Sequence, residues 1–96
     1  MNDPLTPDTS RAKVLIVEDE VLIGTYVQNC LRDMGYEAGP FVTSGEEAIR
    51  RTAEIQPDII LMDIMLEGEM TGIDAAEEIR VRYDVPIIFL TAYSDE

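Results

Sequence analysis

The chain contains no histidine and no tryptophan, one cysteine, and only 7 Lys+Arg against 20 Asp+Glu. Without histidine, Ser-His and Cys-His nucleophilic catalysis are excluded. Cys30 alone can form neither an internal disulfide nor a zinc site. The shortage of basic residues leaves a formal net charge of −13 over 96 residues. Such a surface repels nucleic-acid phosphates and anionic lipid, so neither is an expected partner of this segment. No apolar run reaches the ~18–20 residues of a membrane span, and no signal peptide opens the chain, so a cytoplasmic location is expected. What remains is ordinary: 46% hydrophobic and 28% charged residues. That composition supports the core of one small domain.

Residues 1–10, MNDPLTPDTS, hold two prolines and no apolar periodicity, and read as a flexible leader before a domain over 11–96. Lys13-Val14-Leu15-Ile16-Val17 is a continuous apolar run stopped by Glu18-Asp19-Glu20. This suits a central parallel strand covered on both faces. Ile23, Val27, Cys30, Leu31 and Met34 recur at helical spacing, with acids in front and Gly35 as C-terminal cap. Cys30 reads there as a buried small apolar residue. A second strand is expected near Glu37–Val42, confined to a sheet edge by Gly39-Pro40. Ser44 and Glu47 make a capping-box pattern, Ala48, Ile49, Thr52 and Ala53 a helix face, and Pro57 its end. Asp58-Ile59-Ile60-Leu61-Met62 is a second apolar run that stops at Asp63. A third helix over Gly72–Tyr83, N-capped by Thr71, precedes the strand Pro86-Ile87-Ile88-Phe89-Leu90 and then Thr91-Ala92.

Strands alternating with helices imply right-handed crossovers and a mostly parallel α/β sheet. Ligands of such sheets bind outside the carboxyl ends of the strands, where the winding reverses. The side chains placed there are Glu18, Asp19, Asp63 and Thr91. A single acid at a strand end is ordinarily a solvated loop residue. Two apolar strands each ending in acids within one βαβ pattern are a stronger signal. Gathered carboxylates repel one another and favour protonation of at least one, and a divalent cation removes that cost. Oxygen ligands without His or Cys suit Mg²⁺, with Mn²⁺ or Ca²⁺ as alternatives. A carboxylate beside such an ion can be the nucleophile of an aspartyl-phosphate reaction. The acidic pairs Glu46-Glu47 and Glu77-Glu78 read as solvated helix faces, and Met62, Met65 and Met70 as packing or loop residues.

Three segments, Val14-Leu15-Ile16-Val17-Glu18-Asp19-Glu20, Pro57-Asp58-Ile59-Ile60-Leu61-Met62-Asp63 and Pro86-Ile87-Ile88-Phe89-Leu90-Thr91-Ala92, together resemble the CheY-like receiver domain of two-component response regulators. Gly35-Tyr36 and Gly45-Glu46-Glu47-Ala48 are similar to the family as well. The resemblance implies a flavodoxin-like doubly wound sheet of order 2-1-3-4-5, of which strands 1–4 and helices 1–3 lie in this sequence. It implies that Asp63 is the phosphoacceptor and that Glu18, Asp19, Asp63 and the backbone carbonyl of Met65 hold Mg²⁺. Thr91 matches the switch hydroxyl, and the small Ala92 leaves room for the phosphodonor. The phosphoryl donor implied is a phosphohistidine on a sensor histidine kinase or a histidine phosphotransfer protein, and the output domain is fused or separate. The implied activity is self-phosphorylation and dephosphorylation at one aspartate, not enzymatic turnover.

Two departures qualify the match. The family's usual proline four residues after the aspartate is replaced by Glu67, in a loop that is slightly longer before Gly72. The fifth strand and the lysine at its end are not in the sequence, so a piece of a longer chain is expected, with the fourth strand left as a sheet edge. The competing readings are a degenerate receiver acting only as an interaction module and a haloacid-dehalogenase-type phosphohydrolase. The latter requires a second aspartate at the position of Met65. A flavodoxin-like cofactor binder would need a phosphate-cradling loop where Glu18-Asp19-Glu20 stands.

Overall fold

The computed structural model describes residues 11–90. It contains β1 (Lys13–Val17), α1 (Val21–Asp33), β2 (Glu37–Ala38), α2 (Gly45–Ile55), β3 (Ile59–Asp63), α3 (Gly72–Arg82) and β4 (Ile87–Leu90). All pairings are parallel and the sheet order is β2-β1-β3-β4. The order reverses between β1 and β3, which makes their carboxyl ends the switch point of a doubly wound sheet.

The two apolar runs become the central strands because both of their faces are covered. On one face Leu15, Val17, Ile60 and Met62 pack with Ala48 of α2 and Ala75 and Ile79 of α3. On the other, Val14 and Ile16 pack with Ala38, Val27, Leu31, Phe41, Ile59 and Leu61. Side chains alternate between these clusters along each strand, as the strand period of two requires. The register Val17↔Met62 then fixes which residues emerge together at the strand ends.

Helix termini follow local chemistry. Thr71 accepts the Asp74 N–H at 3.1 Å and the Asp74 carboxylate accepts the Thr71 N–H at 3.2 Å, a complete capping box. At α2, Ser44 Oγ accepts the Glu47 N–H at 3.1 Å, but the return bond comes from Thr43 rather than Ser44. α1 ends in a Schellman arrangement: Tyr36 N–H donates to Leu31 O and Gly35 N–H to Arg32 O. Gly35 sits at φ 95°, where a Cβ would be strained.

Several sequence expectations are corrected. The second strand is two residues long, because Pro40 offers no N–H and the Gly39 carbonyl is taken by the Gln28 side chain at 2.7 Å. The chain rejoins the sheet only at Val42, which bridges Val17. The acids do stand in front of α1, with Glu20 as its N-cap, but Glu20 makes no side-chain cap bond and none lies within the first turn. Cys30 is half-buried, Met34 is exposed beyond the last turn, and Ala53 is exposed. The buried stripe of α2 runs instead through Gly45, Ala48 and Thr52. Ala53 lies one residue off that line, about 100° round the helix.

Candidate functional site

Glu18 follows β1 directly and Asp63 closes β3, so the β1–β3 register brings the two carboxylates side by side. Asp19 joins them. One carboxylate oxygen from each of Glu18, Asp19 and Asp63 lies within 4.8 Å of the others. Glu18 is 2% exposed and Asp63 5% exposed, while Asp19 is half-buried. The trio lines a cleft of about 230 Å³ together with Glu20, Ile23, Met65 and Glu67. A larger groove between α2 and α3 is lined by Glu46, Met70, Asp74, Glu77, Glu78 and Val81 and contains none of the trio.

Each carboxylate of the trio accepts one backbone N–H: Glu18 from Glu20 at 3.1 Å, Asp63 from Met65 at 3.2 Å, and Asp19 from Glu67 at 3.0 Å. Those bonds satisfy part of the negative charge but not all of it. Burial, together with the adjacent carboxylates of Asp63 and Asp19, pushes Glu18 up to about 7; the Glu20 N–H acts in the opposite direction. Three hard oxygen donors with no nitrogen or sulfur ligand, one of them kept reluctant to ionise, match what a small divalent cation would relieve.

The backbone under the site is held closely. Gly72 N–H donates to Ile64 O at 2.9 Å, and a Cβ on Gly72 would collide with the Asp63 carbonyl. α3 therefore starts against the back of Asp63 only because residue 72 is glycine. On the other flank, Glu18 N–H donates to Val42 O and Val42 N–H to Ile16 O, both at 2.9 Å.

The structure thus brings together three of the residues singled out in the sequence, Glu18, Asp19 and Asp63. Met65 lines the same cleft and is 77% exposed. Leu90 pairs in register with Asp63; Thr91 and Ala92 lie outside the described residues, as do residues 1–10. The Glu67 N–H on Asp19 went unread in the sequence. It is a main-chain contact, for which side-chain identity gives almost no signal. Among the described residues no helix is long and apolar enough to cross a membrane.

Comparison with known proteins converges on one family. The family model for the response regulator receiver domain matches residues 14–96. The DNA-binding response regulator MtrA of Mycobacterium tuberculosis (strain ATCC 25618 / H37Rv) is 35% identical over 88 residues, 92% of this chain and 38% of its own. The transcriptional regulatory protein PdtaR of the same strain is 40% identical over 82 residues, 85% of this chain and 40% of its own. The chain thus spans about two fifths of the length of these curated relatives. Among solved structures, the signal receiver domain of a modulated diguanylate cyclase from Desulfovibrio desulfuricans G20 superposes with a TM-score of 0.82. Its identity is 38%, and the match covers 88% of this chain and 67% of that one. The receiver domain of Erythrobacter litoralis PhyR gives a TM-score of 0.80 at 36% identity, over 91% of this chain and 67% of that one. With the parallel sheet, its switch point and the acidic trio in place, this chain belongs to the response regulator receiver domain family.

Proposed function

We propose that the chain is a phosphoacceptor module that takes a phosphoryl group onto Asp63 from a phosphohistidine of a sensor histidine kinase or phosphotransfer protein. The observation that carries this reading is the convergence of Glu18, Asp19 and Asp63 at the switch point of a receiver fold. Receiver domains are generally not turnover enzymes, and the chemistry proposed here is one transfer and its reversal by hydrolysis.

In that transfer a carboxylate oxygen of Asp63 forms the new O–P bond as the P–N bond to imidazole breaks. The leaving nitrogen keeps the electron pair and is protonated. The residues for Mg²⁺ are Glu18, Asp19 and Asp63, with the Met65 carbonyl completing the set; Mn²⁺ or Ca²⁺ would suit the same donors. A bound ion would neutralise charge on the phosphoryl oxygens and on the trio. Glu18 and Asp19 would hold such an ion, and the Met65 N–H orients the Asp63 carboxylate. Thr91, next in the chain after Leu90, is assigned the switch hydroxyl, and Ala92 the small neighbour that admits the donor. Location in the cytoplasm and coupling to a fused or separate output domain belong to the same proposal. The complete acidic trio favours phosphotransfer over a degenerate module used for interaction alone.

The test is intact-mass spectrometry of the full-length protein that carries this domain, after treatment with acetyl phosphate, with and without Mg²⁺. One phosphoryl group is expected with Mg²⁺, none with EDTA, and none in Asp63→Asn, whose amide lacks the nucleophilic charge. Peptide mapping that put the label on Asp19, Thr91 or Ser94 would refute the assignment.

A further inference from the structure

We propose that the backbone amide of Glu67 is a positioning group that holds Asp19 in its cation-binding orientation; this rests on the reading of Glu18, Asp19 and Asp63 as a cation site. Of the three main-chain amides bonded to the trio, two are local: Glu20 N–H reaches Glu18 and Met65 N–H reaches Asp63, each two residues away. The third joins Glu67 to Asp19 across 48 positions. It ties the loop after β3 to the loop after β1 at the point where the cleft lies.

The donor is fixed from behind. Leu66, the preceding residue, is 7% exposed and sits in the larger core cluster, so the peptide carrying the Glu67 N–H is anchored by a buried side chain. The acceptor needs such help. Asp19 is half-buried in the loop between β1 and α1, and a carboxylate there has several rotamers open to it. An N–H at 3.0 Å from Oδ2 selects one of them, and that orientation places Asp19 within reach of Glu18 and Asp63. Metal ligands are commonly held by such outer hydrogen bonds. Proline, the residue that the family resemblance leads one to expect here, has no N–H to give. The departure at position 67 therefore adds a contact that a proline-bearing loop cannot make.

Three substitutions separate the amide from the side chain. Glu67→Gln and Glu67→Ala keep the N–H and remove the charge; Glu67→Pro removes both. Mg²⁺ affinity is measured by calorimetry and Mn²⁺ affinity by electron paramagnetic resonance, with circular dichroism reporting the fold. The Pro variant is expected to bind about tenfold more weakly than the equally uncharged Gln and Ala variants, the lower end for loss of a ligand's outer partner. Independently of whether Glu67→Pro folds, amide exchange in the unsubstituted protein should be slower at Glu67 than at Gly68, and this protection should vanish in Asp19→Ala. Equal cation affinity in the Pro and Gln variants overturns the proposal. So does a Glu67 amide that exchanges at the same rate with and without the Asp19 carboxylate. If the unsubstituted protein binds no divalent cation, the cation reading itself is overturned and this role falls with it. If cation binding is intact and only the Glu67 results fail, the site stands and the positioning role does not.

Discussion

At the scale of single residues, the most informative group is Glu18. It is almost fully buried beside Asp63, and its carboxyl is held up at about 7 by burial first and by its acidic neighbours after that. The consequence for stability has a definite sign. Between the ordinary glutamate value and about 7, the folded chain keeps a proton that the unfolded chain has lost, so stability is greatest below that window and falls as pH rises through it. The raised value corresponds to at most about 3 kcal/mol lost between pH 5 and pH 8. Urea unfolding in EDTA should show that decline. Glu18→Gln, which cannot ionise, should flatten it, and saturating Mg²⁺ should reduce it by replacing the proton with a cation. An equally steep decline in Glu18→Gln would mean that another group is responsible.

Among the elements, the termini of the helices carry the clearest local chemistry. α3 opens on a reciprocal capping box between Thr71 and Asp74, and its first residue packs behind Asp63. Thr71→Ala should therefore cost about 1 kcal/mol in urea unfolding. It should also lower the protection of the Asp74 amide, which loses its partner, in hydrogen exchange; an unchanged midpoint would show that tertiary packing alone sets the start of α3. The same contrast explains how much of the fold was legible beforehand. β1 and β3 were readable because strands buried on both faces must be continuously apolar, and the acids that stop them are the site. The caps at Ser44 and Thr71 were readable because they are side-chain devices. β2 was overestimated because its length depends on where the Gly39 carbonyl finds a partner, and that partner, Gln28, belongs to another element. Ala53 was misplaced because an alanine fits either face of a helix, and only packing against the sheet decides which face is buried. The Glu67 amide on Asp19 left no mark except the lack of a proline.

At the largest scale, among the described residues, the two faces of the sheet are unequally covered, and this predicts how stability is distributed. α2 and α3 close over one face, where Ile60, Met62, Ala48, Ala75 and Ile79 are fully buried. On the other face α1 buries only Gly24 completely, and Val27 and Leu31 remain half-buried. β4 has a neighbour on one side among the described residues, and Ile88 is 49% exposed. A buried aliphatic truncation costs the transfer energy plus the cavity, whereas a half-buried one loses only part of the former. Ile79→Ala should then destabilise by about 3 kcal/mol and Val27→Ala by about 1 kcal/mol. Hydrogen exchange should follow the same gradient: amides of β1 and β3 slowest, those of β4 fastest among the strands. Equal costs for Ile79 and Val27, or an Ile88 amide as protected as that of Leu61, would contradict this distribution. The gradient bears on function because Glu18 and Asp63 stand at the ends of the two best-covered strands. Their carboxylates are thereby held within cation distance even though they repel one another, and Asp19 is tied to them from across the cleft by the Glu67 N–H.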